Sequence, residues 1–311
     1  MPHARRRRNT LFDEHGVYVG KFVHYTSAEA AINILKTKRV WMRNTTCMVD
    51  YSEVLHGYTV LDNLLKKSDN LSAFGDAVNG CFDGLTTEVF ELFNGWWQHI
   101  RTETYITSIS EHRLGEDEHG RLSMWRAFGG TAGRVAMVLN VPWYSGAAAA
   151  LNFMLSPVGY LTETEAQAEL TQVIENINRE RDTLKATGQQ TVKAYLFHML
   201  LSAVTSMKHP GFHEEREWRV IYLPTMTPSP LIERAVETIA GVPQVVYKLP
   251  LDETVDPILA ELDVKALLDR VIIGPTQYAV SMYQAFVQAL EGAGVPDPAS
   301  KVVISGIPVR S

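Results

Sequence analysis

The chain has 311 residues, of which 46% are hydrophobic and 21% are charged, a composition typical of an ordinary globular protein with a sizeable core. The formal net charge of −6 argues against non-specific nucleic-acid binding, which needs a broad basic surface. No apolar run reaches the roughly 20 residues of a membrane span, so we expect no membrane partner. The only cysteines, Cys47 and Cys81, have no CxxC spacing, which argues against a disulfide scaffold or a zinc site and predicts a cytoplasmic location.

The hydrophobic pattern predicts a basic tail followed by one domain. Arg5 to Arg8 precede the first hydrophobic period, so residues 1–17 are expected to form a flexible basic tail. Residues 18–311 are then expected to form a single domain, with helical insertions at about 53–100 and 161–208. The oligomeric state does not follow from the sequence.

Strands and helices are predicted to interleave without regular βαβ spacing. We expect strands at 18–24, 39–42, 105–111, 134–141, 215–223, 244–251, 270–273 and 302–305, with a weak strand near the end of a loop at 143–160. We expect helices at 30–37, after a capping box that begins at Thr26, at 122–128, where Gly129 and Gly130 end it, within 225–242, at 264–270 and at 278–292. This order predicts an α+β fold with a mixed, largely antiparallel sheet and flanking helices.

The segment from Glu215 to Leu223 carries the most informative polar pattern. Glu215, Glu217 and Arg219 alternate with Arg216, Trp218 and Val220, so a strand would place the first three on one face, each about 7 Å from the next. Two carboxylates this close can raise the pKa of one of them, which makes Glu215 and Glu217 a candidate acid/base pair. The alternative is a ladder of paired Glu and Arg side chains on a solvated sheet face.

Other polar residues allow a functional and a structural interpretation. Ser108 and Ser110 share one face of the strand at 105–111, either as a binding surface or as a half-exposed strand face. His24 ends the first strand, where it is either functional or simply hydrogen-bonded. Trp125 is either a stacking surface or a core residue.

The residue types also allow two kinds of ligand site, one for phosphate and one for a divalent metal ion. Arg126 and Arg219 could bind phosphate in a bidentate manner, or could neutralise nearby glutamates. A divalent metal in a hydrolase or nuclease could use nearby imidazoles and a carboxylate, although no HExxH pattern is present. The residues for that site are His198, His209 and His213 with Glu214 or Glu215.

Six motifs spread over residues 20–311 resemble one known family. They are His24-Tyr-Thr-Ser, Val40-Trp-Met-Arg-Asn44, Ser108-x-Ser110-Glu111, Leu122-Ser-Met-Trp-Arg-Ala-Phe-Gly129, Gly211-Phe-x-Glu-Glu-Arg-Glu-Trp-Arg219 and Ile272-Ile-Gly-Pro275. With these motifs the sequence resembles the uncharacterised bacterial family 2971 of the domains of unknown function. That resemblance implies no established chemistry.

A more distant resemblance supplies a chemistry. The order of a polar first-strand residue, a Ser-x-Ser strand and a Glu-x-Glu strand is similar to that of ADP-ribosyltransferases, and it implies an ADP-ribosyltransferase-like core with NAD as substrate. On this resemblance His24 and Tyr25 hold NAD, Ser108 and Ser110 line its pocket, and Glu217 stabilises the sugar cation. Glu215 acts on the acceptor, and the remaining candidates for NAD binding are Thr26, Trp125, Arg126 and Arg219.

The resemblance leaves the acceptor open, as a protein or a nucleic acid. A role as a toxin or phage-defence effector follows only by analogy with bacterial members of that superfamily. The residues also permit a non-catalytic module that binds a nucleotide or a partner, and the metal-dependent hydrolase or nuclease. The transferase interpretation predicts that His24, Ser108 and Glu217 converge on one pocket.

Overall fold

The computed structural model describes residues 2–12, 20–48, 51–127, 133–142 and 146–308. Helices in these ranges are α1 (Pro2–Asn9), α2 (Ala28–Thr37), α3 (Tyr51–Leu65), α4 (Ser68–Asn79), α5 (Leu85–Glu103), α6 (Leu122–Ala127), α7 (Gly146–Leu151), α8 (Glu163–Arg179), α9 (Arg181–Thr187), α10 (Gln189–Thr205), α11 (Val264–Leu267) and α12 (Ala279–Gly292). Strands are β1 (Lys21–Ser27), β2 (Arg39–Asn44), β3 (Tyr105–His112), β4 (Arg134–Leu139), β5 (Met154–Pro157), β6 (Glu217–Tyr222), β7 (Glu233–Ile239), β8 (Val242–Pro250), β9 (Leu268–Ile273) and β10 (Val302–Ile304).

The strands form a mixed sheet that is mostly antiparallel. Its order is β10-β9-β4-β1-β3-β2-β8-β7, and β6 pairs with β3. The β9–β10 pair is parallel, whereas β1 pairs antiparallel with β3 and β4, and β3 pairs antiparallel with β6. The predicted α+β class with a mixed, largely antiparallel sheet is therefore confirmed.

The helix predicted within 225–242 is wrong, because this segment forms a β-hairpin. Strand β7 pairs antiparallel with β8 from Glu233 to Ile239. The turn between them uses Ala240 and Gly241, both with positive φ angles, 51° and 80°. Two consecutive residues with positive φ form a two-residue turn whose twist matches the right-handed twist of the paired strands.

Two other boundaries differ from the sequence prediction. The segment expected as loop at 143–160 contains the alanine-rich helix α7, which the high helix propensity of alanine favours. The helix expected at 264–270 ends at Leu267, and the following residues belong to β9. The glycines predicted to end α6, Gly129 and Gly130, lie outside the described residues, as do Tyr18 and Val19 of the predicted first strand.

The contacts divide the chain into two compact units. The first comprises Met1–Asn9, Asn44–Thr104 and Ser156–His213, and it holds α1, α3 to α5 and α8 to α10. The second comprises Thr10–Arg43, Tyr105–Leu155 and Glu214–Ser311, and it contains most of the sheet. The expected single domain over residues 18–311 stays a prediction.

In the first unit, part of the predicted flexible tail is helical. Helix α1 lies against α8, where Glu169 accepts a hydrogen bond from the backbone N–H of His3 at 2.7 Å and pairs with Arg6. Arg7 donates to the carbonyl of Val158. A largely buried carboxylate thus gives the basic segment a partner that the sequence pattern did not reveal.

Gly57 in α3 is required by the close approach of α10. A Cβ atom at this position would lie 2.5 Å from the carbonyl oxygen of Val204. We therefore expect Gly57→Ala to lower the free energy of unfolding by about 1–3 kcal/mol, because the two helix backbones must separate. Urea denaturation measures the change.

Gly95, in the middle of α5, provides the matched control. It is exposed, and a Cβ atom there has no neighbour within 4 Å among the described residues. Gly95→Ala should therefore stabilise the protein by about 0.4–1 kcal/mol, since alanine restricts the unfolded chain. Equal stability of the two variants would show that the α3–α10 approach is not as close as described.

Candidate functional site

The strand register places Ser108, Ser110, Glu217 and Arg219 on one face of the sheet. Ser108 pairs with Arg219, and Ser110 pairs with Glu217. Directly opposed residues of antiparallel strands point to the same face. We call the side of the sheet that carries these four side chains the Glu217 face.

His24 lies on the opposite side of the sheet. Ser110 also pairs with Val23 of β1, so Val23 belongs to the Glu217 face and the next residue, His24, points away from it. His24 pairs instead with Met137 of β4, and we call this side the His24 face. Tyr25 returns to the Glu217 face by the same alternation. The side chains of His24 and Glu217 thus point to opposite sides of the sheet. The expectation that they line one pocket is therefore wrong.

Ser108 nevertheless links His24 to Glu217 through two hydrogen bonds. The registered pairing of β1 with β3 ends at Val23 and Ser110, and beyond it the Ser108 carbonyl accepts a hydrogen bond from His24 Nδ1 at 2.9 Å. On the other face, Ser108 Oγ donates to Glu217 Oε1 at 2.5 Å. His24 thus fixes the backbone of the residue whose hydroxyl group fixes Glu217.

Glu217 and Arg219 form a buried ion pair. Arg219 Nε lies 2.9 Å from Glu217 Oε1, and Arg219 Nη2 lies 3.4 Å from Glu217 Oε2. Glu217 is 5% exposed and Arg219 is 1% exposed. The pair on β6 is therefore buried and is not the solvated ladder considered from the sequence.

Glu215 does not lie on the strand with Glu217, which corrects the predicted alternation. A 3₁₀ turn spans Pro210–Glu215, and Arg216 has a left-handed backbone with φ of 45°. Strand β6 begins only at Glu217. The two carboxylates are therefore not spaced as a regular Glu-x-Glu pair on one strand face.

Arg121 holds this irregular entry to β6. Its guanidinium group donates to the carbonyl oxygens of Glu214 at 2.7 Å, Glu215 at 3.0 Å and Glu111 at 2.6 Å. It also donates to the carboxylate of Glu116, which pairs in addition with Arg216. The sequence pattern indicated no role for Arg121 or Glu116, since only the fold brings their partners to them.

The Glu116 carboxylate is held in its charged form. Burial alone would raise its pKa, but hydrogen bonds and positive charge from Arg121, a backbone N–H of Arg113 and the charge of Arg216 outweigh burial, so the pKa lies below its usual value. A charged Glu116 keeps both arginines in place, and they fix the segment that leads into Glu217.

Tyr25 and Trp125 are packed together in the core of the second unit. Their rings form an edge-to-face contact with centroids 4.9 Å apart. Trp125 is 2% exposed and donates from Nε1 to the His119 carbonyl, while the Tyr25 hydroxyl group accepts from the Arg121 backbone N–H. Burial raises the pKa of Tyr25. The structural interpretation of Trp125 as a core residue fits this arrangement.

The two remaining NAD-binding candidates lie apart from the ion pair. Arg126 lies in the last turn of α6 and is exposed. Thr26 is half-buried in β1 on the His24 face, and the residue that caps α2 is Ser27, whose hydroxyl group accepts from the Ala30 N–H. The sequence had placed the start of the capping box one residue earlier.

Two further findings concern a possible metal site and a possible membrane span. Within the described ranges, no three His, Cys, Asp or Glu side chains come together in a way that could hold a metal ion. The histidines proposed for a metal-dependent hydrolase thus form no such site there. None of the helices in the described parts of the chain has both the length and the apolar character to cross a membrane.

Burial lowers the pKa of His24, although its hydrogen bond to the Ser108 carbonyl acts in the opposite direction. A neutral imidazole that donates through Nδ1 is the form that fits this bond, since a carbonyl oxygen can only accept. His24 in the folded protein therefore resists protonation at pH values where the unfolded chain takes up the proton.

This shift predicts that His24 makes stability depend on pH. Its contribution is complete above about pH 6.5, the ordinary histidine pKa, and decreases as the pH falls below that value until the lowered folded-state pKa is reached. His24→Asn keeps a donor for the Ser108 carbonyl and removes the titration. We expect the wild type to lose more free energy of unfolding than His24→Asn between pH 7.5 and 5.5, measured by urea denaturation.

Every other ionisable group is the same in both proteins, so the difference between the two curves isolates His24. Parallel pH curves for the wild type and His24→Asn would contradict the neutral, buried imidazole.

The geometry defines an α+β protein in which the half-buried Ser108 of β3 contacts the buried Glu217–Arg219 ion pair of β6. A family model described as "Protein of unknown function (DUF2971)" matches residues 124–220. The match supports the resemblance to that uncharacterised family, and it includes Glu217 and Arg219 but not His24 or Ser108. No curated protein and no solved structure matches the chain. None of these comparisons supports the resemblance to ADP-ribosyltransferases.

Proposed function

We propose that this protein is an NAD-dependent ADP-ribosyltransferase whose reaction takes place on the Glu217 face. The observation that carries the proposal is the chain of contacts from His24 through Ser108 to Glu217. These are the residues on the first strand, the Ser-x-Ser strand and the Glu-x-Glu strand that the resemblance selects. Their connection through hydrogen bonds is a more demanding condition than their order in the sequence.

Glu217 would stabilise positive charge on the sugar of NAD. The bond between the ribose carbon and nicotinamide breaks, nicotinamide leaves with the electron pair, and the acceptor then bonds to the same carbon and loses its proton. A fixed carboxylate beside the developing cation lowers the barrier because it needs no reorganisation. Ser108 and Arg219 hold the Glu217 oxygens for this task.

The structure changes the expected role of His24. Its side chain lies on the opposite face from Glu217, so His24 is a positioning residue for Ser108 and not a contact of NAD on the Glu217 face. The NAD-binding candidates that share the face with Glu217 are Tyr25, Ser108, Ser110 and Arg219. Glu215, at the end of the 3₁₀ turn before β6, stays the candidate that acts on the acceptor, which we propose is a cytoplasmic macromolecule.

A non-catalytic nucleotide- or partner-binding module is the second candidate. The observation that favours it is the two-point contact between Arg219 and Glu217, both almost fully buried. In that case the ion pair is structural, and the negative charge of Glu217 is already compensated. A module of this kind would bind its ligand without breaking a bond.

Calorimetric titration with NAD, combined with chromatographic detection of free nicotinamide, separates the two candidates. The transferase should bind NAD and release nicotinamide, and labelled NAD in a cell lysate should transfer its label to an acceptor that mass spectrometry can identify. Ser108→Ala should slow the release, whereas the exposed Ser300→Ala should not. Binding without release would favour the module, and the absence of both would refute the transferase.

A further inference from the structure

The second unit contains an apolar cavity on the His24 face of the sheet. Its volume is about 90 Å³, and aliphatic side chains form most of its wall. Residues on its sheet side include His24 of β1, Thr107 and Ile109 of β3, Met137 and Leu139 of β4, and Val220 of β6. The cavity is thus separated from Glu217 by the thickness of the sheet.

The chemistry of the wall decides what the cavity can hold. A buried water molecule needs two to four polar partners, and an apolar cavity without them stays dry and takes an apolar guest. Of the residues that line this cavity, only His24 and Thr107 are polar, and Nδ1 of His24 is already bonded to the Ser108 carbonyl. Water therefore gains little in this space.

The volume sets the size of the guest. An engineered apolar cavity of about 150 Å³ accommodates benzene, so this smaller space fits an alkyl chain of roughly three to five carbon atoms, or a xenon atom. A close-packed core would leave no space of this size, since protein interiors have few voids larger than a water molecule. We propose that the cavity is a binding site for a short alkyl chain of about three to five carbon atoms.

The proposed cavity site does not depend on the transferase activity. It does include His24, which also begins the hydrogen-bonded series from His24 through Ser108 to Glu217. His24 lies in the cavity wall and fixes Ser108, which bonds to Glu217 on the other face. An alkyl chain in the cavity therefore contacts the imidazole that positions Ser108. A bound alkyl chain can therefore affect the Glu217 face through His24 and Ser108, although it does not lie on that face.

Methyl NMR of the full-length protein with 1-butanol and with xenon tests the proposal. We expect saturable shifts of the methyl groups of Ile109, Leu139 and Val220, with stronger binding of 1-butanol than of 1-octanol, which is too long for the space. Val40→Phe fills the cavity from β2 and should abolish these shifts. Val236→Phe makes the same change at a position that is 70% exposed and outside the wall, and should leave them unchanged.

A second cavity-filling variant keeps the proposal testable if Val40→Phe does not fold. Val220→Phe fills the same space from β6 and replaces Val40→Phe in that case. Shifts in the wild type that do not saturate, or equal responses of the filled variant and Val236→Phe, would overturn the binding site. Neither outcome depends on whether the protein consumes NAD.

Discussion

Glu217→Gln should lower the free energy of unfolding by about 3–5 kcal/mol, the usual cost of removing one partner of a buried ion pair. The remaining partner is Arg219, which is 1% exposed and lies 2.9 Å from Glu217 Oε1. Chemical denaturation of the variant and the wild type measures the loss.

Two companion variants show whether the ion pair is the cause. The exposed Glu214→Gln removes a carboxylate three positions earlier and should change stability by less than about 0.5 kcal/mol. The double variant Glu217→Gln/Arg219→Met removes both charges and should recover much of the loss, because a buried pair can often be replaced by neutral residues. A double variant as unstable as Glu217→Gln would show that the loss does not come from the Glu217–Arg219 ion pair.

Arg121→Ala should also lower the free energy of unfolding by about 3–5 kcal/mol, since three carbonyl oxygens and one carboxylate lose a charged donor at once. These acceptors belong to Glu111, Glu214, Glu215 and Glu116. Thermal or urea denaturation gives the loss. Hydrogen exchange should rise first at the start of β6, because Arg121 fixes the turn that precedes it.

Arg113→Ala is the matched control for Arg121→Ala. Arg113 is exposed and lies eight residues earlier in the same charged segment, so its loss should cost less than about 0.5 kcal/mol. Equal effects of the two substitutions would mean that the carbonyl contacts of Arg121 do not hold the entry to β6.

The sequence predicted the fold well where local patterns decide the structure. Helix α12 and strands β3 and β8 lie close to their predicted positions, because their hydrophobic periods extend over whole elements. The hairpin of β7 and β8 was missed because the Ala240–Gly241 turn is short and most of β7 is exposed or half-buried, which gives it little hydrophobic signal.

The candidate site could be predicted in its residues but not in its geometry. Ser108, Glu217 and Arg219 do share a face, as strand alternation requires. Glu215 leaves the strand because Arg121, more than 90 residues earlier, binds its carbonyl oxygen, and Arg216 takes a left-handed conformation. The face of His24 depends on the register of β1 against β3 and β4, which the order of motifs does not contain.

Nicotinamide release by the wild type and by Glu217→Gln, measured per folded molecule, is the most direct test of the proposal that Glu217 acts on NAD. The folded fraction is determined on the same samples by their melting temperature, since the variant is also destabilised. The proposed transferase predicts that the rate falls by about 10²–10³, a typical effect of losing one electrostatic contact in the transition state. A variant that is destabilised but releases nicotinamide at the wild-type rate per folded molecule would remove Glu217 from the reaction.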